Sequence, residues 1–215
     1  MKNNKTELVF ILDRSGSMAG LEKDTIGGFN AMLEKQRKEA EETLISTILF
    51  DNYLDVIHDR LPLDKTPALT PEDYYVRGST ALLDAVGGAI RHIGHIHKYA
   101  REDDRPGKTL FVITTDGMEN ASRSYSYDQV REMIQRQKEK YGWEFLFLGA
   151  NIDAAREAAR FGIHEDFAAD YHADPMGTHI LYDAVSETVS DFCASRPLDA
   201  GWKRKIDADF SKRGR

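Results

Sequence analysis

Short, continuous apolar runs alternate along this chain with longer stretches whose apolar residues return every three or four positions. Leu8 to Leu12 is apolar at every position, and Thr43–Phe50, Thr109–Thr115 and Glu144–Gly149 are similar. Such runs are too short for helices and read as strands buried on both faces. A shorter strand falls near Phe167–Asp170. Between them, Leu21 to about Ala40 places Ile26, Phe29, Met32 and Leu33 on one helical face. Thr80 opens a second helix, with Leu82, Leu83, Val86, Ile90, Ile93 and Ile96 or His97 as its apolar stripe. Tyr127 to about Tyr141, Asp153 to Phe161 and about Thr178 to Ala194 read as further helices. Tyr53–His58 is a strand separated from its predecessor only by the turn-forming pair Asp51-Asn52, which predicts a hairpin and one antiparallel edge strand. Strands alternating with helices predict an α/β fold: a Rossmann-like, doubly wound, mostly parallel sheet of about six strands with helices on both faces.

Some stretches interrupt this pattern. Gly27-Gly28 lies inside the first helix, where each glycine costs roughly 1 kcal/mol relative to alanine. The pair points either to close packing against a neighbour or the first loop, or to plain tolerance. Asp59 to Ser79 contains Pro62, Pro67 and Pro71 among polar residues and reads as a surface connection. Residues 1–195 form the expected domain. The tail 196–215 is more basic, and Trp202, Ile206 and Phe210 at fourfold spacing predict a terminal helix, frayed or docked.

Composition narrows the classes. At 215 residues the chain is long enough for one domain with a substantial core. A formal net charge of -7 argues against a nucleic-acid-coating surface. The single cysteine, Cys193, leaves no internal disulfide, fits a reducing compartment, and reads as a small buried hydrophobe. No apolar run is long enough to span a bilayer, and the first residues lead into a strand rather than a signal-peptide core. The expected location is the cytoplasm, without membrane contact. His92 and His95 stand three apart on a helix, with His97 close by. They lack a thiol or carboxylate at zinc-site spacing and read as solvent-facing or core-edge residues.

The chemistry concentrates where strands stop. Asp13 and Asp116 each end a strongly apolar run, so both carboxylates reach the same rim of a parallel sheet. Ser15 and Ser17 follow Asp13 at alternate positions, and Gly78-Ser79-Thr80 precedes a helix that starts at that rim. Taken singly, the serines and Thr80 read as helix caps and the aspartates as turn residues. Together they place two carboxylates near each other without a counter-charge, which is costly unless a cation is present. Glu119 and Asn120 are candidates for the edge of such a site or plain loop residues. Arg14 and Met18 are expected to be exposed, either bordering a partner surface or as ordinary surface residues.

Asp13-Arg14-Ser15-Gly16-Ser17, Thr80 and Thr115-Asp116-Gly117 together resemble the von Willebrand factor A (vWA) domain and its metal-ion-dependent adhesion site (MIDAS). The strand–helix alternation agrees with that family from about Thr6 to Ala194. The compact, stand-alone bacterial or phage branch is the best match. The resemblance implies that Ser15 and Ser17 bind the ion directly, Thr80 directly or through water, and Asp13 and Asp116 often through water. Magnesium is the first expectation, manganese the second and calcium a more distant third. It also implies a partner protein that supplies a Glu or Asp carboxylate to the ion, for example within an AAA+ ATPase-type assembly. No catalysis is expected: a dehalogenase-type phosphoryl-transfer site needs an aspartate where Ser15 stands, although metal-dependent hydrolysis or phosphoryl transfer at the same aspartates is the alternative. Neither a P-loop nor a dinucleotide-binding turn follows the first strand.

Overall fold

The computed structural model describes residues 4–39 and 42–214. Six strands form one sheet in the order β3-β2-β1-β4-β5-β6. They are β1 (Thr6–Asp13), β2 (Thr43–Phe50), β3 (Leu54–Pro62), β4 (Lys108–Thr115), β5 (Glu144–Ala150) and β6 (Ala168–Tyr171). Only β3 runs antiparallel, paired with β2 at the sheet edge; the other neighbours are parallel. The helices are α1 (Glu22–Glu39), α2 (Leu82–Tyr99), α3 (Tyr127–Tyr141), α4 (Ala154–Arg160), α5 (Pro175–Cys193) and α6 (Arg204–Arg213).

Alternation along β1 shows how the layers arise. Leu8, Phe10 and Leu12 face one core, shared with α1, α5 and α6, while Val9 and Ile11 face the other, shared with α2, α3 and α4. Successive side chains point to opposite faces of a strand, so a strand covered on both sides is apolar along its middle, as Leu8–Leu12 is. The doubly wound α/β architecture expected from the sequence is the one observed.

Helix ends follow local chemistry. Ser126 and Gln129 form a reciprocal capping box at the start of α3, and Gly142 ends it in the left-handed region at φ 66°. Asp174 caps α5 and is followed by Pro175 in the first turn, so α5 starts three residues before the expected Thr178. Gly28 lets α1 approach α5: a Cβ there would stand 2.4 Å from the Tyr182 ring, whereas Gly27 has nothing within 4 Å. Close packing accounts for one glycine of the pair and tolerance for the other.

The stretch 59–79 departs from expectation. β3 continues to Pro62, at the sheet edge where a missing amide donor is tolerated. Beyond it Leu63, Thr66, Leu69 and Tyr74 are buried, so the connection is anchored into the core rather than laid over the surface. After Ser195 the chain packs back. Trp202 Nε1 donates to Asp166 O at 2.8 Å, Ile206 is buried, Phe210 stacks on His172, and Arg213 pairs with Asp174 at 2.6 Å. Cys193 is half-buried, and burial pushes its thiol above the usual range. Among the described residues no helix is long and apolar enough to cross a membrane.

Candidate metal centre

The winding of the sheet reverses between β1 and β4, and open α/β sheets gather ligands outside the carboxyl ends of their strands at such a point. Leu12 lies opposite Thr114, so the chain leaves β1 at Asp13 beside Thr115 and Asp116. The Thr115 hydroxyl donates to Asp13 Oδ2 at 2.6 Å, and the Ser15 amide donates to Asp13 Oδ1 at 2.7 Å. The Tyr74 hydroxyl donates to the Asp13 carbonyl.

Ser15 opens a short 3-10 turn, Gly16–Met18, but its side chain does not cap it. Ser15 Oγ instead accepts from Thr80 Oγ1 at 3.1 Å and lies 3.1 Å from Ser17 Oγ. Ser17 Oγ donates to Asp116 Oδ1. A line of oxygens from Thr80 through Ser15 and Ser17 to Asp116 therefore joins three loops.

Thr80 is released for this role because other groups cap its helix. Glu119 Oε2 accepts the Leu83 amide at 2.8 Å and Ser122 Oγ accepts the Asp84 amide at 2.9 Å. Asp84 returns the contact by accepting the amides of Arg123, Ser124 and Tyr125. Asn120 Oδ1 accepts the Thr80 amide at 2.9 Å, and Asn120 N–H donates to Thr80 O at 3.0 Å. Glu119 and Asn120 thus hold the threonine loop. Gly117 lies against the hydroxyls: a Cβ there would sit 3.1 Å from Thr80 Oγ1 and 3.3 Å from Ser17 Oγ.

Arg14 and Met18 correct an expectation, because both are buried; Arg14 is only 2% exposed. The Arg14 guanidinium points away from the oxygen cluster. Its Nε donates to Asp51 Oδ2 at 2.9 Å, its Nη1 to Asp73 O at 3.3 Å, and its Nη2 to Asp55. Arg77 binds the same Asp51 oxygen at 2.6 Å and Asp55 at 3.1 Å. With Gly16 N–H donating to Gly78 O at 3.1 Å and Ala81 N–H to Asp51 O at 2.8 Å, this network ties the loop after β1 and the β2–β3 turn to the loop carrying Thr80. A buried arginine needs paired acids, and Asp51 reads in the sequence only as a turn residue.

The electrostatics of the cluster are unbalanced. Burial pushes the Asp13 carboxyl up to about 6 against the hydrogen bonds from Thr115 and Ser15, and the Asp116 charge adds to the rise. Burial also raises Asp116 against its bond from Ser17. Among the described residues no Lys, Arg or His side chain bonds to either carboxylate, and Asp116 Oδ2 is buried without a hydrogen-bond partner. Hydroxyl and carboxylate oxygens are the donor set of a hard divalent cation, which would supply both the missing charge and the missing partner. The residues present therefore fit such an ion.

The histidines do not form a second centre. His97 pairs with buried Glu7, His92 with Asp59 at 2.8 Å, and His95 contacts Tyr99. Among the described residues no group of three or more His, Cys, Asp or Glu side chains is placed to hold a metal.

No protein-family model matches the sequence, and no curated protein sequence matches it. Solved structures do. The vWF domain of the type V pili tip protein Mfa5 from Porphyromonas gingivalis superposes with a TM-score of 0.64 at 10% identity, covering 87% of this chain and 96% of that one. The chain has the von Willebrand factor A fold. A von Willebrand factor type A protein from Catenulispora acidiphila shares the vWA fold at TM-score 0.59 and 14% identity, over 87% of this chain and 43% of that one. Proximal thread matrix protein 1 from the mussel byssus, in a form with a zinc-occupied MIDAS motif, matches at TM-score 0.60 and 11% identity over 88% of this chain and 47% of that one. The chain therefore spans less than half the length of these last two proteins.

Proposed function

We propose that this chain is a divalent-cation-dependent protein-interaction module, in which Asp13, Ser15, Ser17, Thr80 and Asp116 hold the ion and a Glu or Asp carboxylate of a partner protein completes its coordination. The observation that carries this reading is the buried, partnerless Asp116 Oδ2 at the end of a line of three hydroxyls. Zinc in the MIDAS motif of the mussel protein, which shares this fold, supports a divalent ion here. Magnesium is favoured over manganese and calcium, because few protein oxygens with retained waters suit its octahedral habit. The ion supplies an electrophilic contact for an anionic oxygen. The chain's own residues do the rest: Thr115 and the Ser15 amide orient Asp13, Glu119 and Asn120 hold Thr80 in reach, and Gly117 keeps the approach clear. Neutral hydroxyls dilute the negative charge around the ion and leave it attractive to a carboxylate. The five side chains bond to no histidine or lysine among the described residues, which favours binding over acid–base catalysis.

The test is a calorimetric titration of chelator-stripped protein with magnesium and manganese, in the presence and absence of acetate as a carboxylate mimic, beside Asp116→Asn. Saturable binding that acetate strengthens and the variant loses, at nearly unchanged melting temperature, is the expected result. Absence of binding under all conditions, or equal binding by the variant, would overturn the proposal.

A further inference from the structure

α2 begins beside the metal centre and runs away from it, so its last turns stand toward the amino ends of the strands. There α2, α3 and the segments entering β4 and β5 enclose a cleft of about 460 Å³. That volume falls within the range of small-molecule sites, roughly 300–1,000 Å³. The α2 wall carries Arg91, His95 and Lys98 at helical spacing, α3 faces them with Arg136 and Tyr141, and Arg105 lies before β4. Buried Ile90 and Trp143 form its floor, and partly exposed Met133 and the Tyr141 ring supply its apolar surface.

The charge of this cleft opposes that of the chain. Arg91, Lys98, Arg105 and Arg136 bring four formal positive charges, and no aspartate or glutamate is among the lining residues, in a protein of net charge -7. Glu7 meets the lining from below through His97, but it is fully buried and also held by Arg60 at 2.5 Å, so its charge is already matched. Desolvation raises the Tyr141 hydroxyl, yet Lys140 and Arg136 outweigh it and hold the group below its ordinary range, in keeping with a positive local potential. Trp143 is stacked on Phe111 and lies edge-on to His97, so the apolar side of the cleft is fixed rather than adaptable.

We propose that this cleft binds a phosphorylated small organic molecule, an anion of at least two charges joined to an apolar or aromatic group. Guanidinium forks from two facing helices match phosphate oxygens in pairs. The apolar lining gives the organic part a surface that water solvates poorly. The site is independent of the metal centre.

The experiment is a calorimetric titration of the full chain with phenyl phosphate and with inorganic phosphate, beside the double variant Arg91→Gln/Arg136→Gln. Both arginines are exposed, so the variant should keep its melting temperature. Phenyl phosphate should bind saturably and more tightly than inorganic phosphate, resist chelator, and lose at least about tenfold in affinity in the double variant. In a parallel titration followed by NMR, the Trp143 indole N–H resonance should shift and that of Trp202 should not. No saturable binding, equal affinity in the variant, or equal affinity for inorganic phosphate would overturn the proposal. So would capture of an acidic phosphopeptide by a protein that ignores phenyl phosphate.

Discussion

Replacing Arg14 by methionine removes a buried charge while keeping much of the side chain's volume. The guanidinium is 2% exposed, and its Asp51 partner is 1% exposed at 2.9 Å. Removing one member of such a pair usually costs about 3–5 kcal/mol, because the other is left buried and uncompensated. Here Arg77 still binds Asp51 at 2.6 Å, so the lower end, about 3 kcal/mol, applies. For a chain of this size that corresponds to a fall in melting temperature of roughly 6–12 °C. Asp55→Asn is the matched control. Its carboxylate is 45% exposed, and an ion pair so open to solvent contributes at most about 1 kcal/mol. Urea denaturation of both variants at constant m-value measures the two losses directly. The gap should also depend on pH. Burial raises the Asp51 carboxyl, but Arg77, the Tyr53 amide and Arg14 together hold it below its ordinary 3.8. A depressed carboxylate stabilises the fold above its unfolded value and loses that contribution as the pH falls through the folded one. The difference between wild type and Arg14→Met should therefore narrow below pH 3.8. A variant within about 1 kcal/mol of wild type, or no worse than Asp55→Asn, would refute the buried network as a structural tie.

Other outcomes follow from single sites. Gly28→Ala should destabilise by about 1–3 kcal/mol, because its Cβ would stand 2.4 Å from the Tyr182 ring. Gly27→Ala, with nothing within 4 Å, should stabilise by up to about 1 kcal/mol, and paired denaturation curves separate the two. Burial lowers the His58 imidazole below its usual 6.5, only partly offset by Asp73. The neutral ring's contribution is present above pH 6.5 and lost as the pH falls through the lowered value, so His58→Gln should flatten the stability profile on the acid side of 6.5. Saturating magnesium should raise the melting temperature of the wild type and leave Asp116→Asn unmoved, as followed by scanning calorimetry.

The strands were legible because a strand covered on both faces is mostly apolar, with few buried polar residues such as Glu7, Ser46 and Thr47. β2 and α3 fall at Thr43–Phe50 and Tyr127–Tyr141, as their patterns predict. The five oxygen-bearing residues that the sequence grouped do meet at one rim. The connection after β3 was misread because anchors such as Leu69 and Tyr74 follow no period, being set by the shape of the core beneath. Arg14 was misread for a related reason: its acids Asp51 and Asp55 lie 37 and 41 positions away, and only the pairing of β1 with β2 and of β2 with β3 brings them close. Thr115 supports Asp13 from a position indistinguishable in sequence from any other buried strand residue.

The oxygen line of the candidate metal centre also has a consequence for how the molecule is made. Ser17 and Asp116 are 99 positions apart, and Thr80 and Ser15 are 65 apart. Chain emerging from a ribosome in order has β1 and β2 long before it has Asp116, so the first half of the protein can pair strands but cannot assemble the cluster. Contacts of such separation form only after long loops close. A cation captured at this rim would thus report that β1 and β4 have already joined, so its binding would follow the pairing of those strands rather than nucleate it.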